Sequence, residues 1–235
     1  MNRTRSVTTS ALSLLTACGG AKEPDNSTGE PRPSTYRADK VSPAERLTKL
    51  MVTPSDVTGY EVTEPSTDFV FAKSKDEVTL DKPACAPLAH AMNQLPLGDP
   101  EADLTRVVDT DEYGDASSYI TLTTYASGGA QEATSGLSKA VDACGSGFTA
   151  EADGTSTYDS VTAEDPTDSA GDETLAFNAK VTFQGTSHTF HTQATRSSDV
   201  VAVHFSVNGF SIAQSRPSDA ELPPAVVKAQ NARLG

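Results

Sequence analysis

The chain of 235 residues carries 18 Lys and Arg against 32 Asp and Glu, a formal net charge of −14, with 36% hydrophobic residues, 6% aromatic residues, no Trp and three Cys. That length fits one globular domain plus a polar extension. The acidity and the lack of any Lys/Arg run argue against a phosphate-backbone partner, so no nucleic acid is expected, and no stretch approaches the ~20 consecutive apolar residues of a membrane-spanning helix.

The amino terminus places Arg3 and Arg5 before the mostly uncharged Val7 to Ala17, then reads Leu15-Thr16-Ala17-Cys18-Gly19. A charged start, a weakly apolar stretch and small residues at a cleavage point are the layout of an export signal. The segment resembles the lipobox of bacterial lipoprotein precursors, in which a thiol forms the thioether to diacylglycerol and the small residues before it let the backbone fit the signal peptidase. Each buried acyl methylene contributes about 0.8 kcal/mol, so two or three chains anchor stably where one would not. The expected organisation is a signal peptide over 1–17, the acylated Cys18 and a flexible linker over 18–43, and a single domain over 44–235. Residues 19–41 mix Gly, Pro, Ser, Thr and charge with almost no apolar side chains, too few to offset the entropy of ordering them.

Along the folded part, Ser42-Pro43-Ala44-Glu45 is a capping box that opens a helix with Leu47, Leu50 and Met51 inward. Cys85, Leu88, Ala89 and Met92 fall on one helical stripe, as do Ala130, Ala133, Leu137, Ala140, Val141 and Cys144. With Cys18 acylated, Cys85 and Cys144 are an even pair in an exported chain, and both face the core. Two readings follow: two buried thiols, or a disulfide closing a loop of 59 residues with about 4 kcal/mol of stabilisation. Neither Cys adjoins a His or basic residue that would make it a nucleophile. Leu104 to Asp109, Ser118 to Tyr125, Phe148 to Ala152 and Thr155 to Ala163 read as strands, the last two joined at Asp153-Gly154. A second capping box, Ser218-Asp219-Ala220-Glu221, is expected to start a last helix through Val226 and Val227.

Residues 173–215 predict an antiparallel meander with two-residue turns at Gly185-Thr186, Ser197-Ser198 and Asn208-Gly209. Counting from these turns sets Val181 opposite Phe190, Phe190 opposite Phe205 and Phe205 opposite Ile212, a four-strand apolar row shared with Phe177, Phe183, Val203, Val207 and Phe210. Asn178, Lys180, Thr182, Thr189, His191, Gln193, His204, Ser206 and Ser211 take the other face. The expected fold class is α+β: an antiparallel β-sheet with a C-terminal meander, helices packed on one face and a Thr/Ser-rich face toward water.

The domain from about residue 44 to 235 resembles actinobacterial lipoproteins whose folded part is similar to the extracellular sensor domain of receptor kinases of the PknH type. Five features carry the resemblance: Thr53-Pro54-Ser55-Asp56-Val57-Thr58-Gly59-Tyr60 after the first helix, Lys82-Pro83-Ala84-Cys85-Ala86-Pro87-Leu88, Cys144-Gly145-Ser146-Gly147-Phe148, Gly171-Asp172-Glu173 and Gln230-Asn231-Ala232-Arg233-Leu234. The resemblance implies an α+β fold, a disulfide between Cys85 and Cys144, and a cleft for an extracellular ligand. The chain departs in lacking a second cysteine pair, a kinase and a membrane-spanning segment, so signalling through an attached kinase is not expected.

Chemistry-bearing residues are sparse. In the counted register His191 and His204 face one another with Lys180 beside His191, which makes these three the candidate ligand-binding residues. Zinc wants three or four protein ligands and the row supplies two imidazoles, so no metal is expected. His188 projects from the opposite face to His191, and His90 falls off its helix's apolar stripe and reads as exposed. Asp109-Thr110-Asp111-Glu112-Tyr113-Gly114 fails as a calcium loop, because Tyr113 and Ile120 stand where oxygen ligands belong. Glu164, Asp165, Asp168, Asp172 and Glu173 read as a solvated acidic loop. No Gly-x-Ser-x-Gly elbow, phosphate-binding loop or dinucleotide fingerprint occurs, so neither a catalytic residue nor a cofactor is expected. The resulting expectation is a non-enzymatic lipoprotein on the outer face of the cytoplasmic membrane, binding an unknown small molecule or envelope protein. An envelope assembly factor is the alternative, and a secreted hydrolase a more distant one.

Overall fold

The computed structural model of the protein describes residues 41–66, 71–110, 112 and 114–235; the export signal, Cys18 and nearly all of the linker lie outside the described residues. The helices are α1 (Pro43–Leu50), α2 (Ala86–Ala91), α3 (Gly129–Ala143), α4 (Gly209–Ala213) and α5 (Pro224–Leu234). The strands are β1 (Tyr60–Thr63), β2 (Thr79–Leu80), β3 (Ala102–Thr110), β4 (Ser117–Thr124), β5 (Phe148–Glu151), β6 (Thr155–Glu164), β7 (Glu173–Phe183), β8 (Thr186–Ser197), β9 (Val200–Val207) and β10 (Ser218–Ala220). They form one sheet in the order β1-β3-β4-β9-β8-β7-β6-β5-β2, with β10 attached to β8. Every pairing is antiparallel except β10 on β8, which is parallel. The fold is therefore α+β and mostly sheet, as the sequence predicts.

Local chemistry starts α1 where expected, and the apolar stripe of α3 is buried as predicted. At α1 the Ser42 Oγ accepts from the Glu45 amide at 3.3 Å and the Glu45 carboxylate accepts from the Ser42 amide at 2.9 Å, a complete capping box. α3 buries Ala130, Ala133, Leu137, Ala140 and Val141, and its following residue Cys144 forms a disulfide with Cys85, with Cα atoms 5.9 Å apart. That bond ties the segment entering α2 to the end of α3 inside the main core, where α2 and α3 cover Phe177, Ala179, Val181, Phe190, Val203 and Phe205.

The meander keeps its faces but changes its partners. The first turn is Gln184-Gly185, both at positive φ (50° and 81°), so Phe183 pairs with Thr186 and Val181 meets His188 rather than Phe190. The second turn is Ser198-Asp199, so Thr192 rather than Phe190 faces Phe205, and Gln193 rather than His191 faces His204. Each correction is a slip of two residues, which preserves the direction of every side chain. Phe190 and Phe205 still touch as diagonal neighbours, edge to face with ring centroids 5.5 Å apart.

The expected fourth strand of the meander is absent from its place. Asn208 caps α4 instead: its Oδ1 accepts from the Ser211 amide at 2.8 Å and its Nδ2 donates to the Gly114 carbonyl at 3.0 Å. These bonds favour a helical turn over the hairpin that Asn-Gly otherwise suggests, and β4 becomes the second neighbour of β9, with Tyr119 opposite Phe205. The second capping box is also corrected. Ser218-Asp219-Ala220 is strand β10, and the last helix begins at Pro224, where proline's missing N–H costs nothing.

Of the face expected to meet water, only half does. α1 and α5 pack against it over β3, β4 and β9, building a second core from Leu47, Met51, Val108, Ile120, Leu122, Val200, Ala202 and Val226. Gln230 fastens this layer. Its Oε1 accepts from the Val52 amide at 3.0 Å and its Nε2 donates to the Leu50 carbonyl at 2.9 Å, satisfying the end of α1 from within α5. The covered half buries Ser118, Gln193, His204 and Ser206.

Candidate functional site

The uncovered half of that face lies over β6, β7 and β8. His191 stands opposite Asn178 of β7 and Ser206 of β9. Its Nδ1 lies 3.0 and 3.1 Å from the two Glu164 oxygens, and its Nε2 lies 2.8 Å from Asp219 Oδ1. Asn178 donates to Glu164 at 2.9 Å and so holds that carboxylate against the ring. Burial works against charge on His191, but the hydrogen bonds and charges of Asp219 and Glu164 outweigh it and raise the imidazole above its ordinary 6.5. Lys180 projects beside Asn178 on the same face and is exposed.

His204 is in a different situation. It sits one register step from His191, faces Gln193 and Ile120 across its two neighbouring strands, and is fully buried with, among the described residues, no hydrogen bond to either ring nitrogen. Burial alone pushes it down to about 4, so it is a neutral ring in the floor of the second core. Of the three sequence-predicted ligand residues, the structure therefore brings Lys180 and His191 to one open surface and places His204 beneath α5's layer.

The acidic loop after β6 is paired rather than merely solvated. Gln193 Oε1 accepts from the Thr167 amide at 2.8 Å, its Nε2 donates to the Asp168 carbonyl at 2.8 Å, and Asn231 of α5 donates to the Asp168 carboxylate at 2.8 Å. Asp172 takes Arg196 at 2.9 Å and the Ser198 amide at 2.7 Å, while Glu173 accepts from Thr134 at 2.8 Å. The loop is in this way fixed between the sheet, α3 and α5.

Two arrangements escaped the sequence reading. The first is a pairing of His188 Nδ1 with Ser218 Oγ at 2.9 Å on the main-core side of β8. His188 is buried, its Nε2 has no partner among the described residues and burial lowers its pKa, so among those residues this Ser–His contact lacks the carboxylate that would orient and charge-stabilise the ring of a nucleophilic triad. The second is a groove of about 340 Å³ between α2 and α3, walled by Ala86, Pro87, Leu97, Gly129, Ala133 and Gly136. His90, expected to be exposed, is half-buried at its edge, and burial together with the charge of Lys75 lowers it to about 4.

The motifs that carry the family resemblance have structural jobs. Asp56 accepts from the Thr53 amide and hydroxyl, both at 2.7 Å, and from Arg233 at 2.6 Å, which holds its carboxyl down at about 2. Gly147 has φ +77°, and a Cβ there would lie 2.0 Å from the Tyr158 carbonyl oxygen; Gly171 has φ +65°, and a Cβ there would lie 2.3 Å from that of Arg196. Both glycines are required by close backbone approach as well as by conformation.

Comparison with known proteins gives a likeness among solved structures alone. No protein-family model matches the chain, and no curated protein matches it. Among solved structures, it is similar to the extracellular domain of PknH from Mycobacterium tuberculosis, at 14% sequence identity, covering 81% of this chain and 93% of that one with a TM-score of 0.45. Among the described residues, no helix is long and apolar enough to cross a membrane.

Proposed function

We propose that this chain is an extracytoplasmic lipoprotein, anchored at the outer face of the cytoplasmic membrane through acyl chains on Cys18, whose folded domain binds a small molecule or an envelope protein without transforming it. The observation that carries the compartment is the Cys85–Cys144 disulfide buried in the main core, since such bonds persist where thiols are oxidised and are rare in reducing cytosol. The lipobox at Leu15 to Cys18 supplies the anchor, and residues 19–41 supply the spacer.

The side chains support binding over catalysis. Both nitrogens of His191 are taken by carboxylates, and His204 is sealed beneath a helix layer, so neither is placed to accept a proton from a nucleophile. Lys180 and the His191 cluster offer a mixed-charge polar surface that suits a hydrogen-bonding ligand.

Mass spectrometry of the native product is expected to find Cys18 as the first residue, carrying diacylglycerol, and Cys18→Ala is expected to leave the domain folded but unanchored. An intact Met1 without lipid would overturn the anchoring. Thermal stabilisation of the domain by envelope lipids, glycans or peptides tests the binding role separately, because any ligand of the native state raises its apparent stability.

A further inference from the structure

β10 is the anomaly of the sheet. It spans three residues, pairs in parallel where all else is antiparallel, and occupies the edge of β8 that β9 leaves free beyond the His191–Ser206 pair. Three parallel pairs are a weak attachment for a strand, and the residues leading into it, 213–217, are exposed. What adds to the backbone pairing comes from two histidines of β8 spaced three apart, which project from opposite faces. Below, His188 Nδ1 meets Ser218 Oγ at 2.9 Å; above, His191 Nε2 meets Asp219 Oδ1 at 2.8 Å. Consecutive residues of β10 are thus gripped from both sides of the sheet.

We propose that His188-Thr189-Phe190-His191 is a two-sided, protonation-sensitive clasp that holds β10 on the sheet, and that β10 lifts when either imidazole is in the wrong charge state. On its upper side, the groups facing His191 are Glu164 from β6, Asn178 and Lys180 from β7, Ser206 from β9 and Asp219 from β10. Two carboxylates against one ammonium favour the imidazolium, which donates to Glu164 and Asp219 at once. On the lower side, His188 faces Val181 of β7 and, one strand further, Tyr158 of β6, which burial raises to about 12 and which stays neutral. α4 brings no titratable group, and Arg216 lies over the Phe210 ring. Among the described residues no carboxylate meets the lower ring, and its buried Nε2 has no partner there to share a proton.

The two rings consequently move in opposite directions from the ordinary 6.5, His191 up and His188 down. For His191, the raised value means its contribution is complete below 6.5 and is lost as pH rises through the folded value. For His188, the lowered value means its contribution is complete above 6.5 and is lost as pH falls through the folded value. Glu164 stays on His191 when β10 lifts, so only the part of the rise owed to Asp219 works against detachment; both grips hold together between the two folded values, and attachment of β10 weakens on either side.

Hydrogen–deuterium exchange of the peptide covering 216–222, corrected for intrinsic rates, tests this, with the β9 peptide 200–207 reporting global opening. Exchange is expected to be slowest between the two folded values and to rise on each side, by up to the ratio of the closed and open acid constants of the ring concerned. His191→Gln should flatten the alkaline limb alone, and His188→Asn the acid limb. Should His188→Asn fail to fold, the imidazole titration of the wild type decides: a His188 that titrates at or above 6.5 overturns the lower grip. A flat profile, one that tracks 200–207 at every pH, or an alkaline limb unchanged in His191→Gln overturns the clasp.

Discussion

A single side chain joins the two ends of the domain. Gln230 satisfies one donor and one acceptor at the end of α1 while itself fully buried. Truncation leaves the Val52 amide and Leu50 carbonyl without partners, so Gln230→Ala is expected to lower stability by about 1–3 kcal/mol in a denaturant titration. His204 sets a different dependence. Because burial holds it at about 4, stability is complete above 6.5 and declines as pH falls toward 4, by roughly 3 kcal/mol. Denaturation midpoints between pH 7 and 4 should show that slope, and His204→Asn should remove its share. Sequence alone could not separate this histidine from His191. Both are polar and share a sheet face, and only the helices laid over one of them make the difference.

Among the elements, the pairing of α2 with α3 depends most on one covalent bond. The disulfide closes a separation of 59 residues, and replacing both cysteines with Ser is expected to cost about 4 kcal/mol in the chain-entropy account. Calorimetry of the oxidised and doubly substituted domains checks it, and an unchanged transition would remove the bond from the fold's energetics. The cysteine stripes were readable because a helix repeats its apolar positions strictly. Turns were less so: glycine at 185 can serve as the first residue of one tight turn or the second of another, and the two choices differ by two residues. A like one-residue choice at the next turn, Ser198-Asp199 in place of Ser197-Ser198, moved β8 against β9; together the two slips spoiled the strand partners and spared the faces, so Phe177, Val181, Phe190, Val203 and Phe205 all reached the main core while His191 and His204 did not meet. Asn208-Gly209 misled for another reason, since the carbonyl that Asn208 reaches, Gly114, is remote in the chain.

For the molecule as a whole, the α+β class, the sheet's inward face and the framework of the main core were written in local pattern. The second core was not, because its two helices come from opposite ends of the domain and one of them, α5, inserts the polar Gln230 and Asn231 inward. A pattern of polar residues normally marks a surface; here it marks a hydrogen-bonded seam. The open polar surface around Lys180 and His191 was predictable in composition, but its Glu164 and Asp219 partners come from a long strand's end and from a three-residue strand that local signals assign to a helix.

The seam between α1 and α5 also has a consequence in time. A chain threaded outward from its amino terminus delivers α1 first and α5 last, so Ile120, Leu122 and Val200 can gather their full cover only after α5 has crossed. If the chain is exported as proposed, the emerging polypeptide shows a half-dressed sheet to its surroundings until then, and resistance to proteases is expected to appear only once α5 has crossed rather than when the first core collapses.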